Sequence, residues 1–183
     1  MLDLTEKTLK RNEVYNGRII RVRNDEVLLP DGQHGLREVV EHPGGVGILA
    51  VDDAGRVALG RQYRYAVGRH LWEIPAGKRE KGEEPFVTAQ RELAEEVGAT
   101  AAKWTDLGQI IASPGCYAEV LYLYLAEGLT FGAQHLDQDE FLQVQFVPFA
   151  EVVEQCMRGE LQDGKTVTAV LKAKVRQEKA CTL

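Results

Sequence analysis

Cysteine is sparse: the chain holds three, Cys116, Cys156 and Cys181, an odd number set far apart. They make neither a disulfide framework nor a paired CxxC motif for zinc or redox chemistry, and this suits a reducing compartment. Long apolar runs are missing as well. The longest, such as residues 120 to 126, are far too short to span a bilayer, and the opening MLDLTEKTLKRNE lacks the apolar centre of a signal peptide. The expectation is a soluble, cytoplasmic protein with no membrane partner. Positive charge is in deficit, 22 Lys and Arg against 28 Asp and Glu, for a net charge of −6. A domain held to nucleic acid by phosphate contacts normally shows a clustered basic excess, so that class of partner drops out. An acidic chain that handles small anions then needs a local exception or a bound cation.

The 183 residues are 44% hydrophobic, enough for one ordinary domain, or one with a small appendage, whose core needs no disulfide or metal staple. Residues 16 to 42 alternate short apolar pieces with turn chemistry at Asn24-Asp25 and Pro30-Asp31-Gly32, which reads as a small antiparallel meander. The expected division is an N-terminal β domain over residues 1–43 and a larger domain over 44–183. In the larger domain VGILAV, the turn Asp52-Asp53-Ala54-Gly55 and RVALGRQYRYAV form a hairpin signature, followed by a short strand LWEIPAG. Pro85 opens a helix that runs to Val97 and stops at Gly98. Strands are expected around 104–112, 120–126 and 142–148, and helices over about 149–157 and 166–179. Helices and strands mix without regular βαβ alternation, so the class is α+β, a mixed sheet covered by helices.

The Pro85 helix carries the chemistry. At about 100° per residue, Glu92 and Glu96 stand about 40° apart and Glu95 about 60° from Glu92, so three carboxylates share one side. Phe86, Val87, Leu93, Ala94 and Val97 fall on another side, expected to pack the helix down. Like charges at this spacing cost about 0.2–0.5 kcal/mol, and a hard divalent cation would reverse the sign. Oxygen ligands without His or Cys point to Mg²⁺ or Mn²⁺. By themselves three glutamates also read as a solvated face. The wider spacing decides: Gly77, five residues, Glu83, seven residues, then Arg91-Glu92-Leu93-Ala94-Glu95-Glu96-Val97-Gly98-Ala99. A chance match to seven fixed identities is on the order of 10⁻⁷ per starting position.

This stretch resembles the Nudix box of the Nudix hydrolase superfamily, departing only in Ala99 at the last aliphatic position. The resemblance implies a Nudix-type α/β/α sandwich and hydrolysis of a nucleoside diphosphate linked to another moiety. It also implies metal held by the carbonyl of Ala76 with Glu92, Glu96 and the nearby Glu95, two or three Mg²⁺ ions per site. Arg91 and Glu83 resemble the family's orienting pair, with plain salt bridging as the other reading. The segments RQYRY, LWEIPAG and Ser113-Pro114-Gly115 resemble the ADP-ribose pyrophosphatase branch, which brings Pro114 and Gly115 into the expected substrate site. ADP-ribose would give AMP and ribose 5-phosphate. GDP-mannose or another nucleotide sugar is the nearer alternative, and a non-catalytic nucleotide-binding module the more distant one.

Arg56, Arg61, Arg64 and Arg69 lie in a stretch without acids. Guanidinium forks suit diphosphate oxygens, so Arg64, and after it Arg61, are expected to grip the substrate. Glu73 is expected to contact a ribose hydroxyl or to help at the metal, strand packing being its alternative. With the helix glutamates occupied, a general base must come from elsewhere. By resemblance Glu140 takes that role, with Asp139 and Asp137 as rivals. Relatives pair through an N-terminal β domain, which implies a homodimer in which Arg23, Arg37 or Glu38 could reach the partner's substrate.

Overall fold

The computed structural model describes residues 2–136, 138 and 140–181. It separates into two compact units, one of residues 1–44 with 111–120, the other of 45–110 with 121–183.

The first unit is antiparallel β. Strands β1 (Lys7–Lys10) and β2 (Glu13–Asn16) both pair with β3 (Arg21–Leu28), which pairs in turn with β4 (His34–Glu41) from Arg21 opposite Glu41 to Leu28 opposite His34. The meander expected from residue 16 therefore starts earlier. KTLK and EVYN are exposed at every position, so no inward stripe marks them as strands. Residues 111–120 join this unit, where Tyr117 lies parallel to Val40 and the His42 ring tilts against Tyr117 at 5.6 Å.

In the second unit β5 (Gly45–Val51) is central. Its apolar run GVGILAV is covered on both faces, which is why it lacks alternation. β6 (Arg56–Arg64) follows through the Asp52 turn, then a short 3-10 turn (Tyr65–Val67) and β7 (Arg69–Glu73), antiparallel to β6. LWEIPAG is two strands rather than one: Pro75, which has no amide hydrogen to donate, separates β7 from β8 (Ala76–Lys78), and β8 pairs with β5 instead. After helix α1 (Pro85–Val97) come β9 (Ala99–Ser113), β10 (Tyr117–Phe131) and β11 (Gln143–Pro148), then α2 (Phe149–Met157) and α3 (Gly164–Cys181). β10 runs parallel to β5 from Leu121 opposite Gly45 to Glu127 opposite Val51, and β11 runs antiparallel to β6, so the sheet is mixed.

Alternation along β5 builds two cores. Val46, Ile48 and Ala50 pack with Ala58, Ala126 and the α1 residues Ala89 and Leu93. Leu49 packs with Leu59, Ile74 and Leu123 against Val152 of α2 and Ala169 and Val170 of α3. Helices thus cover both faces of an α+β layer. Leu93 is fully buried, so its truncation to Ala would cost about 2–5 kcal/mol.

Helix α1 keeps its expected ends and part of its expected apolar side, since Leu93 is fully buried and Val97 packs against the same core. Phe86 and Val87 are exposed, and the buried positions are Thr88, Ala89, Glu92, Leu93 and Glu96. Apolar periodicity misplaces Phe86 and Val87 because two carboxylates share the inward side with Leu93. Phe86 still finds aromatic neighbours, its ring 5.3 Å from that of Trp104 at an edge-on angle.

Candidate active site

Glu92 and Glu96 are 8% and 4% exposed, an uncommon state for carboxylates on successive helical turns. Burial pushes Glu92 up to about 7, with the negative charges of Glu95 and Glu140 adding to the rise and Arg91 opposing it. Burial likewise pushes Glu96 up to about 8, with Glu140 and Glu92 adding to the rise and the Ala76 amide and Arg64 opposing it. Glu140 is therefore close enough for its charge to act on both. The register explains how: beyond β10 the chain passes under the C-terminal end of α1, with Gly132 donating to Gly98 O at 2.6 Å and His135 to Glu95 O at 3.0 Å. Gly98, at φ 65° in the left-handed cap, would bring a side chain onto residues 132–134, so the crossing chain and the cap both require glycine.

Gly77 answers a different need. Its φ is ordinary, but a methyl group there would overlap the Glu92 carboxylate. β8 thus runs directly against the acid face of α1. Ala76, one residue earlier, donates its N–H to Glu96 Oε2 at 3.0 Å.

Arg91 is the hub of the acidic cluster. Its Nη1 donates to Glu92 Oε1 and Glu95 Oε2, both at 2.8 Å, its Nε and Nη2 reach the two Glu83 oxygens at 3.2 Å, and Nη2 also meets Lys78 O at 3.2 Å. The hydrogen bond from Arg91 leads the causes that hold Glu83 down to about 2, and Arg91 itself is raised. With Arg91 drawing Glu92 and Glu95 and the Ala76 amide holding Glu96, no three His, Cys, Asp or Glu side chains among the described residues converge as a ready cage. The donor chemistry still fits a hard divalent cation: all-oxygen, buried, and disfavoured in its charged form by the neighbouring acids.

The two arginines expected to grip the substrate leave β6 on opposite sides. Arg61 lies opposite Trp72, and Tyr63 opposite His70, so alternation sends Arg61 and Tyr63 to one side of β6 and Gln62 and Arg64 to the other. Arg61 lines a cavity of about 430 Å³ together with Tyr63, His70, Glu140 and Gln143. Arg64 forks onto Glu73, Nε to Oε1 at 2.7 Å and Nη2 to Oε2 at 2.8 Å. Burial would raise Glu73, yet Arg64 and Lys165 outweigh it and hold the group at about 2. Lys165, which also donates to Glu73 Oε2, was missed in the sequence; a lone Lys at a helix start carries no signal, and only the fold joins positions 73 and 165. Pro114 and Gly115 belong to the exposed turn between β9 and β10 in the first unit. Asp137 and Asp139 lie outside the described residues.

Two buried, proton-hungry glutamates, an arginine hub, a glycine that makes room for a carboxylate and a further acid within electrostatic reach make an acidic site whose chemistry suits a hard divalent cation. Residues 41–170 match the NUDIX domain and residues 6–40 the nucleoside diphosphate sugar hydrolase N-terminal domain. The chain belongs to the Nudix family. It is 41% identical over 172 residues to an ADP-ribose pyrophosphatase of Bacillus subtilis, covering 93% of each chain. It is 40% identical over 167 residues to the methanol dehydrogenase activator of Bacillus methanolicus, covering 90% of each. A crystal structure of an ADP compounds hydrolase superposes with a TM-score of 0.85 at 21% identity, over 97% of both chains, and shares the fold.

Proposed function

We propose that this chain hydrolyses the diphosphate linkage of ADP-ribose to AMP and ribose 5-phosphate, with two or three Mg²⁺ ions, or Mn²⁺ in their place. The observation that carries the reading is the buried Glu92 and Glu96 pair facing the charge of Glu140. The ADP-ribose pyrophosphatase relative supplies the substrate. When bound, the metal supplies Lewis-acid polarisation of the phosphorus and neutralises charge on the diphosphate. Glu92, Glu96, Glu95 and the Ala76 carbonyl would hold it.

The remaining work belongs to the protein's own groups. Arg91 and Glu83 keep the helix carboxylates oriented, and Gly77 leaves Glu92 its space. Arg64, fixed by Glu73, offers the outer edge of its guanidinium to the diphosphate, while Arg61 reaches the substrate from the cavity it shares with Glu140. Glu140 takes a proton from the attacking water as its oxygen bonds to one phosphorus. The bridging P–O bond breaks and the second phosphate leaves on its own nucleoside or sugar.

A homodimer formed through the residues 1–43 domain completes the reading. It is supported by the exposed Val14, Tyr15, Ile19 and Leu36 of that unit. The cytoplasm is its place of action, in keeping with free Cys116 and Cys156. The test is turnover with Mg²⁺ on a panel of ADP-ribose, NADH, diadenosine polyphosphates, GDP-mannose, UDP-glucose and 8-oxo-dGTP, with products identified. ADP-ribose should lead the panel by kcat/KM and yield AMP. GDP-mannose in first place would move the assignment to that nucleotide sugar, and no turnover of any member would leave a binding module.

A further inference from the structure

The Arg64–Glu73 fork is anchored from a distant part of the chain. Glu73 is 5% exposed and Lys165 8%, and Lys165 Nζ donates to the same Glu73 Oε2 that Arg64 Nη2 holds. Lys165 is held in turn by Asp163, Nζ to Oδ1 at 3.0 Å. The other Asp163 oxygen caps α3 by accepting the Thr166 amide at 3.0 Å, and it accepts the Thr166 hydroxyl as well. The fully buried Thr166 Oγ1 receives the Ile74 N–H at 2.9 Å, next to Glu73 on the strand. The first turn of α3 is thus tied to Glu73 and Ile74 by two bonds, one to side chain and one to backbone.

The charges in this tie balance. Two acids, Glu73 and Asp163, face two bases, Arg64 and Lys165. Both Glu73 oxygens and the Nε and Nη2 of Arg64 are engaged, which leaves Nη1 as the edge of the guanidinium not committed to Glu73. A buried carboxylate with one cation alone would pull that cation inward, whereas a second cation behind it shares the load. Arg64 is still 40% exposed at its side chain, so it spans from this buried tie to solvent.

We propose that Lys165, backed by Asp163, is a positioning residue of the hydrolytic site: through Glu73 it sets the angle at which Arg64 presents its free edge to a diphosphate. The proposal rests on the hydrolase reading above, and neither Lys165 nor Asp163 touches the substrate in it. A merely structural Lys165 would alter folding stability and leave the kinetics of the folded enzyme alone.

The experiment compares K165M, K165R, D163N, E73Q and the double variant E73Q/K165M in full-length protein, with ADP-ribose kinetics, thermal melting and the ¹⁵N-edited NMR signal of the Arg64 Nε–H in the substrate-free state. K165M should raise KM about tenfold with kcat within about twofold, as loss of substrate binding common to ground and transition states predicts, and should broaden or shift the Arg64 signal. K165R should recover most of the KM. In the E73Q background the same Lys165 change should do less than twofold, because the residue through which it acts is gone. A K165M protein with a lowered melting temperature but wild-type KM and an unmoved Arg64 signal overturns the proposal, as does an effect of equal size with and without Glu73. Should K165M fail to fold, D163N carries the same expectations, and the double variant removes one acid and one base together. A wild type inactive on ADP-ribose, with the Arg64 signal still responding to K165M, would sink the substrate reading and keep the tie.

Discussion

The Glu92 carboxylate occupies the space that a side chain at residue 77 would need, so Gly77 fixes where that carboxylate can lie. Gly77→Ala should keep the fold, since its backbone angles suit any residue, and should push Glu92 out of line with Glu96. A shift of about 1 Å in a catalytic group costs on the order of 10²-fold in rate. The expected result is a kcat loss of that size, with a weaker Mg²⁺ requirement curve and an unchanged circular dichroism spectrum. An alanine variant as fast as the wild type would mean that Glu92 has no fixed post.

The raised values of Glu92, about 7, and Glu96, about 8, make a prediction about pH. In the unfolded chain both titrate near 4.5. Above that pH the unfolded state gives up protons that the folded state retains, so these groups favour unfolding increasingly as pH rises from about 4.5 to about 8, and no further beyond. The metal-free melting temperature of the wild type should therefore fall across pH 5 to 8 more steeply than that of Glu96→Gln. Divalent cations compete with the same protons. The rise in melting temperature caused by saturating Mg²⁺ should be larger at pH 8 than at pH 6, and a pH-independent rise would count against Glu92 and Glu96 as its ligands.

The ends of α1 were legible because Pro85 and Gly98 are local signals, and the acid spacing was legible because a helix repeats by geometry. Which side of α1 faces inward was not. The expectation that Phe86 and Val87 pack down follows apolarity, whereas Glu92 and Glu96 are buried where the sheet brings β8 and the segment after β10 against them. The same limit applies to Arg64. Its charge suggested a phosphate clamp, and the sequence does not show that it also forks onto Glu73, which α3 supplies with Lys165 from 92 positions further along the chain. Arg64 and, after it, Arg61 were expected to act on the same diphosphate, and strand alternation sends them to opposite sides of β6.

Arg91 joins three glutamates by one guanidinium, so its loss should cost more than any single ion pair. Arg91→Ala leaves Glu92, buried, beside Glu95 with no cation between them. With Arg91 partly exposed, the expected destabilisation is about 1–2 kcal/mol, together with a fall in kcat. Arg91→Lys keeps the charge without the planar fork and should lie between the two. Chemical denaturation and kinetics on the same samples separate the effects. A lysine variant equal to the wild type in both would reduce Arg91 to a neutralising charge.

Glu140 is the residue on which the proposed chemistry turns. Its charge reaches both Glu92 and Glu96, and it lines the cavity that holds Arg61. A base that takes the proton from water should, when made neutral and isosteric, lower kcat by about 10²–10⁴-fold. Glu140→Gln should do so while leaving the Mg²⁺ dependence of melting intact, because the helix carboxylates remain. Removing a negative charge near Glu92 and Glu96 should also lower their proton affinity, so the pH slope of metal-free stability should become shallower. Glu96→Gln should show the opposite pairing, a lost metal response along with lost activity. If Glu140→Gln turns over ADP-ribose at a near-normal rate with its metal response intact, Glu140 is not the base. Asp137 and Asp139 would then be the positions to change.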